Sequence, residues 1–371
     1  MLIAAADVFG YDLSYVYGRY VMSRGRVITH LSSTVVRLTT DSGLTGWGEV
    51  CPLGTTYLPA FGAGAVAALR EIVPQLIGLD PRNLAGVHDA MDAALMGHGY
   101  AKSAVDMACW DLLGRAAGLP VSTLLGGRRQ ERYPLYIAVP LEEPARMRDY
   151  VLARKAEGIR RFQLKVGAAP DADSVRVRSV VEATDEGDVV IADANGGWRL
   201  QDAVVAARML EGLPRVYLEQ PCPTLDECLY VRERTSLPMV LDEIITDLPA
   251  LLRAFHAGGM EAINLKISRV GGLTNARLIR DVAQGLGLRL TIEDTWGGDV
   301  TTAAISHLAA STAPEALFTV SFMNSWVNEH IAGFEPRSEA GVGITPTGPG
   351  LGIEVDAALL GSPLFAAGAA R

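Results

Sequence analysis

FQLKVG (162–167), IADANGG (191–197), YLEQP (217–221), VLDE (240–243), INLKISRVGG (263–272) and TIEDTWGG (291–298) follow one another through the middle of the chain. Each is a short aliphatic or β-branched run that carries a charged residue at its end, and a helix-like segment follows. The charged positions Lys165, Asp193, Glu219, Asp242, Lys266 and Asp294 are 28, 26, 23, 24 and 28 residues apart. A parallel strand returned by a helix has that rhythm. Strands covered on both faces are continuously apolar rather than alternating, as VVIAD, MVLDE and LRLTIED are. If the units close into a barrel, their C-terminal ends share one rim, and the six charges point into one mouth.

Working outward, YPLYIAV supplies an earlier strand and ALFTVSF (316–322) a later one. Strands counted at Tyr136, Lys165, Asp193, Glu219, Asp242, Lys266, Asp294 and Phe322 make eight. Upstream, STVVRLTT, the turn DSG and LTGWGEV read as an antiparallel sheet within residues 2–51. The Tyr-, Gly- and Arg-rich SYVYGRYVMSRGR reads as a mobile loop. From Pro59 to Gly118 the pattern is helical, with Ala104, Val105, Ala108, Cys109, Leu112 and Leu113 forming one stripe. The paired glycines of LLGGRRQERY mark a boundary, dividing the chain into 1–127, 128–325 and 326–371. The Gly- and Pro-rich last segment is expected to pack back on the N-terminal sheet.

The chain has 371 residues, 49% hydrophobic and 20% charged, enough for one large barrel with additions. No run of 18 uncharged apolar residues suggests a membrane span. The start MLIAAADVFGYD lacks the basic flank of a signal peptide, which predicts a cytoplasmic protein. A net charge of −9 without a basic cluster argues against nucleic acid. Cys51, Cys109, Cys222 and Cys228 form no C-x-x-C pair and read as reduced thiols.

Asp193, Glu219 and Asp242 end three successive predicted strands. Three carboxylates meeting without a cation raise one another's pKa, so a cation is expected among them. Oxygen donors with no His or Cys nearby suit Mg²⁺, with Mn²⁺ possible. The alternative is that each acid caps the next helix or pairs with a surface Arg. Lys165 stands one unit before the acids and Lys266 one unit after. That spacing puts the two ammonium groups on opposite sides of a metal-bound carboxylate, an arrangement for abstracting an α-proton and stabilising the enediolate. A lysine beside a divalent cation is expected to have its pKa lowered toward neutrality.

With DAN at 193–195, EQP at 219–221, LDE at 241–243 and KISRVGG at 266–272, the chain resembles the enolase superfamily, in its muconate lactonizing enzyme/mandelate racemase branch. The resemblance spans nearly the whole chain. It implies an α/β fold: a modified TIM (β/α) barrel with an α+β capping domain formed by the N-terminal segment and the C-terminal tail. It further implies Mg²⁺ on Asp193, Glu219 and Asp242, acid–base roles for Lys165 and Lys266, and a homo-oligomer, dimer or octamer. The branch commonly has Lys-x-Lys where this chain has Gln163-Leu164-Lys165. An amide there still donates a hydrogen bond to a substrate carboxylate, more weakly, and a substrate carrying its own positive charge would need less.

EDTWGGD (293–299), CPLGTTYLP (51–59) and GHGYAK (97–102) are similar to enzymes of proline derivatives, the cis-3-hydroxy-L-proline dehydratases and hydroxyproline-betaine epimerases. The partner implied is a small amino- or imino-acid carboxylate. Asp294 would face its ammonium, Trp296 or Phe322 would offer a π face, and Tyr57 would close over it, with Gln163 and Asn195 also in contact. The expected reaction is dehydration of cis-3-hydroxy-L-proline to Δ1-pyrroline-2-carboxylate, Lys165 acting as base on the L-face and Lys266 as acid. Racemisation or epimerisation of proline, a betaine or another N-substituted amino acid needs the same two lysines and is the alternative. A non-catalytic metal-binding barrel is a third reading.

Overall fold

The computed structural model describes residues 1–368. Its centre is an eight-stranded parallel sheet with strands Tyr136–Val139, Arg161–Lys165, Val189–Asp193, Val216–Glu219, Met239–Leu241, Ala262–Lys266, Arg289–Glu293 and Leu317–Val320, neighbours in chain order. The barrel is nearly closed: a single parallel bridge, Leu135 with Val320, joins the last strand to the first. The eight predicted strands are all present, and their continuous apolar runs are buried because helices cover the outer face. Local sequence starts several of those helices. Thr224 and Glu227 form a reciprocal capping box, and Asp247 accepts from the backbone of Ala250.

The N-terminal sheet is antiparallel, made of Ile3–Ser14, His30–Thr40 and Thr45–Val50, and its outer member Phe365–Gly368 comes from the end of the chain. Helix Gly99–Ala117 lies directly on its last strand. A Cβ at Gly48 would fall 1.8 Å from the carbonyl oxygen of Ala104, so the close approach requires glycine. The predicted apolar stripe on this helix is too narrow a description. The helix is buried on nearly every side, because its other faces meet the barrel, where Trp110 donates to Thr274.

The segment predicted as a mobile loop carries structure. Tyr20–Val21 pairs with Val27–Ile28 around a turn at Ser23–Gly25, and Tyr20 and Met22 are buried. Ser23 rests on the turns that follow two barrel strands. A Cβ at Gly167 would lie 2.7 Å from that of Ser23, and Arg24 donates to the carbonyl of Gly196 at 2.5 Å. The four cysteines are free and buried. Among the described residues, no helix is long and apolar enough to cross a membrane.

Candidate active site

Strand register brings the charged residues to one level. Lys165 is paired with Asp193, Asp193 with Glu219, and Lys266 with Glu293. Lys165 ends the second strand and Lys266 the sixth, half a barrel apart. Because side chains alternate along a strand, the residues two before each lysine, Gln163 and Asn264, point the same way one layer deeper. Both donate to Glu219: Gln163 Nε2 at 3.0 and 3.1 Å to its two oxygens, Asn264 Nδ2 at 2.7 Å. Gln163 Oε1 accepts from Lys165 at 2.8 Å.

The lysines sit on the flanking carboxylates. Lys165 is bound to Asp193 Oδ2, and Lys266 donates to Asp242 Oδ2 at 2.9 Å and lies 3.5 Å from Glu293 Oε1. Arg269 donates to Asp242 Oδ1 at 2.7 Å. Tyr57, from the capping segment, donates to Asp242 at 3.1 Å and accepts from Lys266 at 3.1 Å. Asn195, held at φ 48°, donates its amide side chain to Glu243 at 3.0 Å and its backbone N–H to Asp193 at 2.8 Å.

Charge and burial set the pKa values. Burial, then Asp193 and Asp242, push Glu219 well above the usual carboxylate range. Burial, then Asp242 and Asp193, raise Glu243 to about 7. For Asp242 the burial effect is overcome by Arg269 and Lys266, which hold it low. Burial depresses the lysines, but Asp193 around Lys165, and Asp242 and Glu293 around Lys266, outweigh it and hold both above the ordinary value. The expected downward shift is thus not a property of the protein groups alone.

Nor do the three acids converge on one point. Among the described residues no three acidic, His or Cys side chains form a ready ligand cluster. Each carboxylate has instead turned to a lysine, an arginine or an amide, which is how like charges are accommodated in one mouth. The donor set still suits a divalent cation. Five carboxyl groups (Asp193, Glu219, Asp242, Glu243, Glu293) share the buried site with three cations (Lys165, Lys266, Arg269), and burial with like charges nearby raises Glu219, Glu243 and Glu293, so a further cation would be needed for all five to ionise. All the acidic donors are oxygens, as Mg²⁺ prefers.

Tyr20, Met22, Leu53 and Tyr57 roof the cavity above the lysines, and Trp296, Met323 and Trp326 wall it. Trp296 packs edge-on against Tyr20 at 5.3 Å and Trp326 at 5.5 Å. Its Nε1 is buried with no partner in the protein. The cavity holds about 20 Å³, space for about one water.

One expected substrate contact lies elsewhere, and another is already bound within the protein. Phe322 is not in this cavity; it packs on Tyr133 and lines a groove on the other side of Tyr136 and Trp326. Asp294 borders the cavity, but its carboxylate is taken up by the backbone and hydroxyl of Ser268 and by the N–H of Thr295 at 2.6 Å. Burial leads the rise of its pKa to about 6. It ties the loops after the sixth and seventh strands together. The inward acid is its neighbour Glu293, in register with Lys266, bound to the Tyr136 hydroxyl through Oε2, with Oε1 in an ion pair 3.5 Å from the Lys266 ammonium. Alternation along the strand carries that signal, because the strand ends at Glu293, one residue before the expected end at Asp294. Arg269, Asn264, Tyr20 and Trp326 also went unassigned; the period of two before Lys266 could have found Asn264.

Residues 18–126 match the family model of the mandelate racemase/muconate lactonizing enzyme N-terminal domain, and residues 145–359 match the enolase C-terminal domain-like family. The chain is 45% identical over 364 residues, 98% of its length and 99% of the relative's, to a cis-3-hydroxy-L-proline dehydratase of Roseibium aggregatum. A mandelate racemase/muconate lactonizing enzyme structure from Roseovarius nubinhibens superposes with a TM-score of 0.96 at 38% identity, covering 100% of this chain and 99% of that one. An enolase-superfamily member from the same organism, complexed with magnesium, gives 0.93 at 36% identity, covering 99% of each chain. With both domains matched in order on a barrel whose acids and lysines share one mouth, the chain belongs to the mandelate racemase/muconate lactonizing enzyme group of the enolase superfamily.

Proposed function

We propose that this protein is a metal-dependent hydro-lyase that dehydrates cis-3-hydroxy-L-proline to a cyclic enamine, which tautomerises to Δ1-pyrroline-2-carboxylate. The observation that carries the reading is the pair of lysines, half a barrel apart and facing one aromatic cavity across three carboxylates. The 45% identity to a dehydratase of that substrate supports it. Asp193, Glu219 and Asp242 would hold Mg²⁺, which would supply positive charge toward the substrate carboxylate.

Asp193 is the first of the charges that hold the Lys165 pKa up, so Lys165 would serve as a base once Asp193 turned to the metal. In cis-3-hydroxy-L-proline the hydroxyl lies on the face opposite the α-hydrogen. Lys165 takes the α-proton from one face, and the electron pair of the broken C–H bond becomes the Cα=Cβ double bond. The C–O bond breaks, and Lys266 on the other face gives the proton that turns the departing oxygen into water. Glu293, whose Oε1 makes no hydrogen bond within the protein and lies 3.5 Å from Lys266, receives the ring NH₂⁺ in place of Asp294. Gln163 has both polar atoms committed to Glu219 and Lys165, so it positions the base and a metal-binding carboxylate rather than the substrate. Tyr20, Tyr57 and Trp296 exclude water once the roof is down.

The test is a proton NMR time course in D₂O with Mg²⁺ and cis- and trans-3-hydroxy-L-proline, trans-4-hydroxy-L-proline, L-proline and their betaines. A pyrroline carboxylate from the cis-3 isomer supports the proposal. Silence across the panel overturns the substrate. Two facing lysines serve reprotonation from the far side equally well, so α-deuterium without water loss makes the protein an epimerase.

A further inference from the structure

The seam of the barrel lies between its first and eighth strands, joined by the single bridge of Leu135 with Val320. Val320 is itself paired with Ile292 on the seventh strand. The residues that follow Leu135 and Ile292, which are Tyr136 and Glu293, therefore stand at one level of the mouth with the eighth strand between them. Their side chains reach across that strand, and the Tyr136 hydroxyl donates to Oε2 of Glu293. Both residues are buried, and both line the catalytic cavity. Trp326 fixes the phenol ring, packed edge-on against it at 5.8 Å. Burial, then the Glu293 charge, push the phenol above its ordinary pKa, so the hydroxyl keeps the proton it shares with the carboxylate.

A hydrogen bond between an ammonium and a carboxylate measures about 2.7–2.9 Å, and Lys266 makes one to Asp242 at 2.9 Å. Glu293 stops short of making another. With Oε2 tied to the first strand, its Oε1 lies 3.5 Å from the Lys266 ammonium. The phenol thus holds the carboxylate between the acid of the reaction and the wall of the cavity.

We infer that Tyr136 is a positioning residue, whose hydroxyl keeps Glu293 off Lys266 and turned to the ring nitrogen of the substrate. That the group received is a ring nitrogen rests on the function proposed above. Without the hydroxyl, Glu293 closes on Lys266 and the ring N–H loses its acceptor, while Asp193, Glu219 and Asp242 keep their places.

The test is calorimetric titration of the Mg²⁺-loaded full chain with L-proline, which has no hydroxyl to lose, and with its betaine, whose quaternary nitrogen has no N–H. Tyr136→Phe should weaken L-proline about tenfold, the scale of one hydrogen bond to a charged group, and leave the betaine within about twofold. A merely structural role would weaken both ligands alike. In a Glu293→Leu background, Tyr136→Phe should change L-proline binding by less than about twofold, because the residue it acts through is gone. If the betaine does not bind, the Glu293→Leu pair decides; if Glu293→Leu does not fold, the two ligands decide. No binding of L-proline by the parent, no weakening in Tyr136→Phe, equal weakening of both ligands, or an undiminished effect in the Glu293→Leu background overturns the inference. Selective weakening of L-proline in a protein that dehydrates none of the hydroxyprolines overturns the proposed reaction and leaves Tyr136 its role.

Discussion

Replacing Lys165 by Met should make the protein less stable without metal and a tighter binder of Mg²⁺. Lys165 is 4% exposed and is the cation on Asp193, whose Oδ1 otherwise accepts from the Asn195 backbone. Removing one partner of a buried ion pair costs roughly 3–5 kcal/mol, because the other charge is left uncompensated. The same change removes one of the three cations beside these carboxyls, so a divalent ion meets no competitor for Asp193. Unit charges about 4 Å apart at an effective dielectric near 20 interact by about 4 kcal/mol. Even a third of that, about 1.4 kcal/mol, tightens Mg²⁺ binding tenfold. The assay is Mg²⁺ titration followed by tryptophan fluorescence, since Trp296 and Trp326 line the cavity, with melting curves in chelator and in excess Mg²⁺. Turnover is lost in this variant and does not enter the measurement. Unchanged or weaker Mg²⁺ binding would refute the idea that the lysines and the metal compete for the same acids.

Lys266→Ala should lower dehydration by about 10²–10⁴-fold, the usual worth of a general acid, while exchange of the substrate α-hydrogen with D₂O continues; loss of neither activity removes the assignment. Asp106, 1% exposed, accepts from Thr274 N at 3.1 Å and its hydroxyl, and bonds His88 Nε2 at 2.7 Å, so the capping domain caps the helix that follows Lys266. Asp106→Ala should cost about 2–4 kcal/mol in urea unfolding, and a cost below about 0.5 kcal/mol contradicts that role. His307 is buried, and burial lowers its pKa to about 4; its Nδ1 accepts from Ser122 N at 3.1 Å. The unfolded chain, with a pKa of about 6.5, takes up this proton first, so stability falls between pH 6.5 and 4 by about 3 kcal/mol. His307→Gln should lack that share of the acid loss, and equal pH slopes in the two proteins would exclude it.

The barrel was legible because its cause is local. Each strand is a run of apolar residues between turn and helix signals, and burial on both faces leaves that mark without any neighbour being known. The charged strand ends were legible for the same reason. What escaped detection depends on partners far away in the chain. Glu49 accepts from Gly298 and Thr301, and Asp106 from Thr274, across separations of 249, 252 and 168 residues. No spacing announces such caps. The two amides on Glu219 and the bond of Arg269 to Asp242 likewise follow from three-dimensional register. Asp294 and Glu293 show how narrow the margin is: one residue at the end of a strand decides which acid looks into the barrel.

The most direct test of the account is cis-3-hydroxy-L-proline with deuterium at the α-carbon, followed by NMR in water with Mg²⁺. The account predicts that the deuterium is lost, Δ1-pyrroline-2-carboxylate accumulates, and chelation of the metal stops both. An unchanged substrate with its deuterium retained would contradict it.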